Sequence, residues 1–312
     1  MKNIMVSVSM ITYGHEKFIR QAIEGVLMQD CSFNVELILA NDCSPDHTDS
    51  IVKEIITTHK NPSILINYIN HEKNIGMIPN FIYTLQQSQG KYIAICEGDD
   101  YWTDPFKLQK QVAILEKHSN VSLVYSNAKI ISDDKGDYIN DEFFYDKNYP
   151  PTLIKSQAFF LKNNFALLSV SILFRKEYIR GNELELMKKF AVGDMPLYFI
   201  LSGKGNFYYI NEPMVVYNDH RLGISKTFGK LKRNLTNYKQ MSLLLPYIQT
   251  INIADFNYFC QRFLIIPIFN AMFGKAKVGE LKDVKFSQIF FVKWKHLKPK
   301  YFYYYLKLIY LR

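Results

Sequence analysis

Between residues 4 and 127 the chain alternates two hydrophobic periods. From Ile4 to Ile11 apolar side chains alternate with Ser7 and Ser9, the period of a strand. The next stretch sets Phe18, Ile19, Ala22, Ile23, Val26 and Leu27 on one helical face. Strand-like runs then recur at residues 35–40, 64–68, 92–96 and 121–125. Between them lie helical patterns carrying Ile51, Val52, Ile55 and Ile56, then Ile78, Phe81, Ile82 and Leu85, then Leu108, Val112 and Leu115. Asp104 followed by Pro105 reads as the N-cap and first-turn proline of the last helix. Strands and helices in this order predict an α/β fold, a mostly parallel sheet with helices on both faces.

After about residue 130 the alternation fades. Residues 133–146 are polar and read as a surface loop. Residues 169–175 are strand-like, 195–201 helical after Gly193-Asp194, and 206–217 a strand or hairpin. No internal repeat or low-complexity tract is visible.

Composition adds a division of the 312 residues, of which 48% are hydrophobic, as in a folded protein. Residues 226–312 hold 16 Lys and Arg against three acids, Asp255, Glu280 and Asp283. The net charge of +9 is therefore confined to this end, and the preceding body is slightly acidic. That distribution excludes nucleic-acid binding spread along the whole chain. The four cysteines, Cys31, Cys43, Cys96 and Cys260, show no C-x-x-C spacing, and no secretory leader pattern opens the sequence, so a cytoplasmic location is expected. The most apolar stretches, near 243–253 and 263–273, contain Pro246 and Pro267 and are too short to span a bilayer.

In an open parallel sheet ligands bind beyond the carboxyl ends of the strands. Three polar sets stand there: Thr12-Tyr13-Gly14-His15, Asn41-Asp42-Cys43-Ser44-Pro45-Asp46, and Glu97-Gly98-Asp99-Asp100-Tyr101-Trp102. All three are expected on one rim. The adjacent carboxylates Asp99 and Asp100 suit a hard divalent ion completed by phosphate oxygens, or else a solvated turn capping the next helix. Asp42 suits the ring N–H of a uracil-like base, or an Asx-turn with Ser44 and Pro45. Tyr13 could stack on that base or close the edge of the core. No P-loop and no G-x-G-x-x-G motif is present.

In joint order and spacing these segments resemble the family 2 nucleotide-sugar glycosyltransferases of GT-A fold. The residues that carry the likeness are 6–13, 37–48, Asn74-Ile75-Gly76, 90–94 and 97–102. The likeness is close over residues 4–127 and looser to about 225. It implies a Rossmann-like GT-A catalytic domain over 1–225 and a helical, basic and aromatic region over 226–312. It implies donor contacts from Thr12, Tyr13, Asp42, Asn74 and Asp99, with Asp100 as ligand of Mn²⁺ or Mg²⁺. Asn80 is a further donor candidate, with a structural role on the helix as the alternative. The family usually shows Asp-Asp where this chain has Asn41-Asp42, but the second position is the one that matches the base-contacting carboxylate.

The Gly193-Asp194-Met195-Pro196-Leu197 segment resembles the one in which an acid starts a helix, which makes Asp194 the candidate general base; an ordinary N-cap is the alternative. His220, in Tyr217 to Ser225, is implied near metal or diphosphate, with Arg221 as its rival. The implied activity is inverting transfer from a nucleotide-sugar, a UDP-sugar by expectation, to a glycan or lipid-linked acceptor in bacterial surface polysaccharide assembly. Competing readings are a nucleotidyltransferase and a non-catalytic carbohydrate- or membrane-binding module. Residues 285–312 interleave lysines with Phe290, Phe291, Trp294 and a run of tyrosines, a composition suited to an anionic membrane surface or to packing on the catalytic body. Nucleic acid is not an expected partner.

Overall fold

The computed structural model describes residues 3–132, 140–143, 152–155, 157, 160, 167–220, 237 and 240–247. In chain order the elements are β1 (Ile4–Thr12), α1 (Ile19–Leu27), β2 (Asn34–Asn41), α2 (Thr48–Thr58), β3 (Ile64–Asn70), α3 (Met77–Gln87), β4 (Tyr92–Ile95), β5 (Tyr101–Trp102) and α4 (Lys107–Lys117). There follow β6 (Val121–Ser132), β7 (Asn140–Phe143), β8 (Thr152–Lys155), β9 (Ile172–Arg175), α5 (Gly181–Met187), α6 (Asp194–Lys204) and β10 (Asn206–Asp219). The main path of the sheet runs β3-β2-β1-β4-β9-β6-β10-β5, with β7 added to β6 and β8 to β10. The α/β fold expected from the hydrophobic pattern is present.

β1 pairs in parallel with β2 and with β4, which aligns Thr12 with Asn41 and Ser9 with Ile95. Three polar strand ends thus reach the same edge. The sheet divides two cores by the two-residue alternation of its strands. Val6, Val8 and Met10 join Tyr92, Ala94 and Cys96 on one face with Ile19, Ile23 and Val26 of α1. Ile93 and Ile95 turn to the other face, against Phe81, Ile82 and Leu85 of α3 and Leu197 to Leu201 of α6. Ser7 and Ser9, the polar beats of β1, are buried and satisfied: Ser7 Oγ donates to Glu36 at 2.5 Å, and Ser9 Oγ shares a 2.5 Å bond with Thr84 Oγ1.

Several elements differ from the sequence expectation. α4 starts at Lys107, later than the Asp104-Pro105 signal suggests, because Asp104 caps a turn ahead of it, accepting the Phe106 N–H at 2.8 Å. β6 runs on to Ser132, and residues 206–219 form one long strand whose irregular register around Pro213 absorbs the missing N–H. Within the expected loop of residues 133–146, Asn140–Phe143 is a strand antiparallel to β6. Its four residues carry no hydrophobic alternation for the sequence to display. β9 lies antiparallel between β4 and β6, and β5, β7 and β8 also pair antiparallel, so parallel pairing is confined to β1 to β4 and to β6 with β10.

Residues Met241–Tyr247 form a 3₁₀ segment whose Met241 and Leu244 are buried in the core shared with α6. Gly203 permits this contact, since a Cβ there would fall 2.0 Å from the Tyr247 carbonyl oxygen. The basic aromatic stretch 285–312 lies outside the described residues. Among the described residues no helix is long and apolar enough to cross a membrane.

Candidate active site

At the carboxyl edge of β1, β2 and β4 the structure forms a cavity of about 340 Å³. Seven of the eight site residues expected from the sequence stand on its wall: Thr12, Tyr13, Asp42, Asn74, Asp99, Asp100 and Asp194. The eighth, His220, lies just behind Asp99 and is buried. Arg221 falls outside the described residues.

The loop after β4 is held by continuation of the sheet ladder. The N–H groups of Cys96 and Gly98 donate to the carbonyls of Ser9 and Ile11 at 3.1 and 2.9 Å. Gly98 has to be glycine, because a Cβ there would sit 2.7 Å from Thr12 Oγ1 and 3.0 Å from His15 Nδ1. Asp99 and Asp100 are thereby set at the end of β1, where Asn218 of β10 anchors both. Its backbone N–H donates to Asp100 Oδ1 at 2.8 Å, and its side-chain amide donates to the Asp99 carbonyl. The solvated-turn alternative for this pair does not hold: Asp100 is 3% exposed, and the helix that follows is preceded by Asp104 instead.

Charge is distributed unevenly within this cluster. Burial, reinforced by the neighbouring charges of Asp99 and Glu97, pushes the Asp100 carboxyl well above the usual range. Glu97 is pushed up to about 7 by burial, partly opposed by a hydrogen bond with Ser169 and reinforced by Asp99. Asp99 behaves oppositely. Burial alone would raise it, but the hydrogen bond from His220 and the attraction of His15 and His220 hold it below the normal carboxylate value. His15, in turn, is lowered chiefly by burial.

Asp42 and its neighbour divide two tasks that the sequence left open. Asn41 makes the turn, its Oδ1 accepting from the Ser44 N–H at 3.1 Å and the Ser44 hydroxyl at 2.5 Å. This leaves the Asp42 carboxylate to receive the N–H groups of Ile75 and Gly76 at 2.6 and 2.9 Å. Each oxygen retains a lone pair for a further donor. Gly76, at φ +92°, takes a backbone conformation that favours glycine just where α3 begins. Asn74 accepts the same Gly76 N–H at 3.0 Å, and Tyr13 on the cavity wall is 49% exposed. Asn80 lines the cavity with its amide already engaged by His71 and the Ala40 carbonyl.

Asp194 is the first residue of α6, after Gly193, and it is exposed on the cavity wall. Its Oδ1 accepts the adjacent Met195 N–H at 2.6 Å. Three residues of the site were not among those expected: Glu97, His15 and Asn218. Glu97 and His15 belong to the strand-end sets, but nothing in their spacing distinguished them. Asn218 enters only because β10 passes the end of the β4 loop.

A divalent cation fits the chemistry of Asp99 and Asp100. Three carboxyl groups share one buried region, and Thr12 Oγ1, His15 Nδ1, Glu97 Oε2 and His220 Nδ1 are buried without a hydrogen-bond partner among the described residues. No three His, Cys, Asp or Glu side chains among the described residues already converge as a metal cage. An ion there would complete its shell with water and phosphate oxygens.

Residues 7–181 match the sequence profile of glycosyl transferase family 2. The chain belongs to this family. A protein of Mycobacterium bovis named Mb1547 is 31% identical over 228 residues, covering 70% of this chain and 60% of its own length. The chain thus spans about 60% of the length of such curated relatives. A protein of Escherichia coli named WcaA, described as a colanic acid biosynthesis glycosyl transferase, is 30% identical over 125 residues, 40% of this chain and 43% of its own. The crystal structure of S. aureus TarS 1-349 in complex with UDP-GlcNAc superposes with a TM-score of 0.64 at 18% identity, covering 91% of this chain and 77% of that one. That likeness establishes the GT-A type fold.

Proposed function

We propose that this family 2 member is an inverting glycosyltransferase that takes its sugar from a uridine diphosphate donor. The observation that carries the reading is that Tyr13 and Asp42, the Asp99-Asp100 pair, and Asp194 all line one cavity although they come from distant parts of the chain. In this reading Tyr13 stacks on the base and the free lone pairs of Asp42 accept its ring N–H. Asp99 faces the ribose. Asp100, with Asp99 beside it, would hold Mn²⁺ or Mg²⁺, which offsets charge on the departing diphosphate when bound.

Asp194 takes the proton of the acceptor hydroxyl as that oxygen attacks the anomeric carbon. The bond from the anomeric carbon to the diphosphate oxygen breaks on the opposite face, with its electron pair leaving on the nucleotide. Configuration at carbon inverts in this single displacement. A glycan or lipid-linked acceptor is part of the same proposal, and a place in polysaccharide assembly is supported by the description of WcaA in colanic acid biosynthesis. Contact of residues 285–312 with the cytoplasmic face of a membrane belongs to the same proposal.

Thermal shift with UDP, GDP, dTDP and CDP, each with and without Mn²⁺, tests it, because a ligand of the folded state raises apparent stability. Stabilisation by UDP that requires Mn²⁺ and disappears in Asp100→Ala is the expected result. No shift with any diphosphate would overturn the reading in favour of a binding module.

A further inference from the structure

The ladder between β1 and β2 reaches Asp42, whose N–H donates to the Thr12 carbonyl at 2.9 Å. Beyond it both chains leave the sheet, with Tyr13 and Asp42 on the cavity wall. Three consecutive N–H groups after Tyr13 are then each taken by a side chain from residues 44–48. Gly14 donates to Ser44 Oγ, His15 to Thr48 Oγ1 and Glu16 to Asp46 Oδ2, all at 3.0 Å. The last two fasten the loop to the start of α2. The first is different, because the Ser44 hydroxyl donates its own proton to Asn41 Oδ1 at 2.5 Å. It therefore ties the neighbour of Tyr13 to the neighbour of Asp42.

The direction of these bonds is set from α2. Burial alone would raise the Asp49 carboxyl, but hydrogen bonds from Lys53 and Tyr68 hold it below its usual value, so it acts as an acceptor. Tyr68 gives its proton to Asp49 Oδ1 at 2.7 Å, and its oxygen receives Asn41 Nδ2 at 3.1 Å. The other end of the Asn41 amide accepts both the N–H and the hydroxyl of Ser44. With its proton committed there, the Ser44 oxygen is left to accept from Gly14. Gly14, Ser44, Asn41, Tyr68 and Asp49 thus form one head-to-tail chain in which each bond polarises the next. An aspartate at position 41 would have no N–H to give Tyr68. The bonds from Ser44 to Asn41 also span Cys43, which takes φ +58°, an uncommon conformation for a residue with a side chain. Ser44 itself is not on the cavity wall, so its influence on a ligand passes through its neighbours.

We infer that Ser44 is a positioning residue of the nucleotide pocket, its hydroxyl holding Tyr13 and Asp42 in one fixed relation. The inference rests on the uridine donor reading above. It is tested by titrating the full chain and its Ser44→Ala and Ser44→Thr variants with UDP, CDP and inorganic pyrophosphate, each with Mn²⁺. Wild type is expected to bind UDP more tightly than CDP, since cytosine offers Asp42 no ring N–H. Ser44→Ala is expected to weaken UDP by about 5- to 10-fold, the scale of one hydrogen bond, while pyrophosphate, which has no base, stays within about twofold. The Thr48 and Asp46 ties remain in this variant, and the hydroxyl of Ser44→Thr is expected to keep UDP affinity within about twofold of wild type. UDP affinity unchanged in Ser44→Ala, an equal fall for UDP and pyrophosphate, or Ser44→Thr as weak as Ser44→Ala overturns the inference alone. Wild type that fails to bind UDP, or binds CDP equally well, removes the uridine reading and the inference with it.

Discussion

His220 Nε2 lies 3.0 Å from Asp99 Oδ2, and His15 Nε2 approaches the same oxygen at 3.8 Å. Two imidazoles, one from the loop after β1 and one from the end of β10, thus orient a single carboxylate at the cavity wall. Phe18 packs on the His220 ring with centroids 4.8 Å apart and keeps it there. Replacing His220 by Ala frees Asp99 from its hydrogen bond while leaving the wall itself intact. Nucleotide affinity is expected to fall about tenfold, equivalent to about 1.4 kcal/mol, the scale of one charge-assisted hydrogen bond. Titration of UDP into the variant checks it, and an unchanged affinity would show that Asp99 needs no such support.

Gly98→Ala is expected to remove donor binding more completely than any polar change nearby. The added methyl meets Thr12 at 2.7 Å, so the loop carrying Asp99 and Asp100 has to leave the end of β1. UDP-induced thermal stabilisation should vanish, and the melting temperature of the free protein should drop as well.

Asp194→Asn preserves shape and removes the proton acceptor. Turnover is expected to fall by about 10²- to 10⁴-fold, the usual contribution of a positioned base. The dissociation constant for UDP should stay within about twofold of wild type, since Asp194 is not among the proposed nucleotide contacts. A parallel loss of both quantities would point instead to a structural role at the start of α6.

Lys107 provides a pH signature separate from the site. It is fully buried, bonds Gln111 Oε1 at 2.9 Å and stands over the Trp102 ring at 4.2 Å. Burial pulls its pKa down to about 7 from 10.5, against the opposing pull of Cys96 and Asp104. Above pH 7 the unfolded chain therefore holds a proton that the folded chain lacks. The associated stability is present above about pH 10.5, is lost as pH falls toward 7 and is level below that. Denaturant unfolding at pH 7.5 and 9.5 should show wild type gaining stability with pH, by at most about 1.4 kcal/mol per unit from this group. Lys107→Met should flatten the rise. The Cys96 thiol, raised well above its ordinary value by burial, acts in the opposite sense as the unfolded thiol ionises toward pH 9.5, so the Lys107 contribution is read from the difference between wild type and Lys107→Met.

Local periodicity alone determined the first half of the fold. Strands β1 to β4 and helices α1 to α4 carry their own alternation, and β1, β2 and β4 end in residues too polar for any role inside a sheet. Thr12, Asp42 and Asp99 could be singled out from sequence because their chemistry coincides with a strand terminus. β7 was not legible, since an edge strand is stabilised by the neighbour it finds and not by its own pattern, and for β9, strand-like in sequence over residues 169–175, only the insertion between β4 and β6 was hidden.

Tertiary structure alone decided how the candidates divide their work. Asn41 and Asp42 are adjacent and chemically similar, yet one closes a turn and the other holds the start of α3, because only Asp42 reaches Ile75 and Gly76. Asp99 and Asp100 differ in the same way: two histidines stabilise the charge of the first, while burial beside Glu97 and Asp99 disfavours charge on the second. Glu97 and Asn218 became part of the site through the pairing of β4 with β1 and the passage of β10 across their ends. Electrostatic environment is a property of what surrounds a side chain, and residues separated by more than a hundred positions supply those surroundings here.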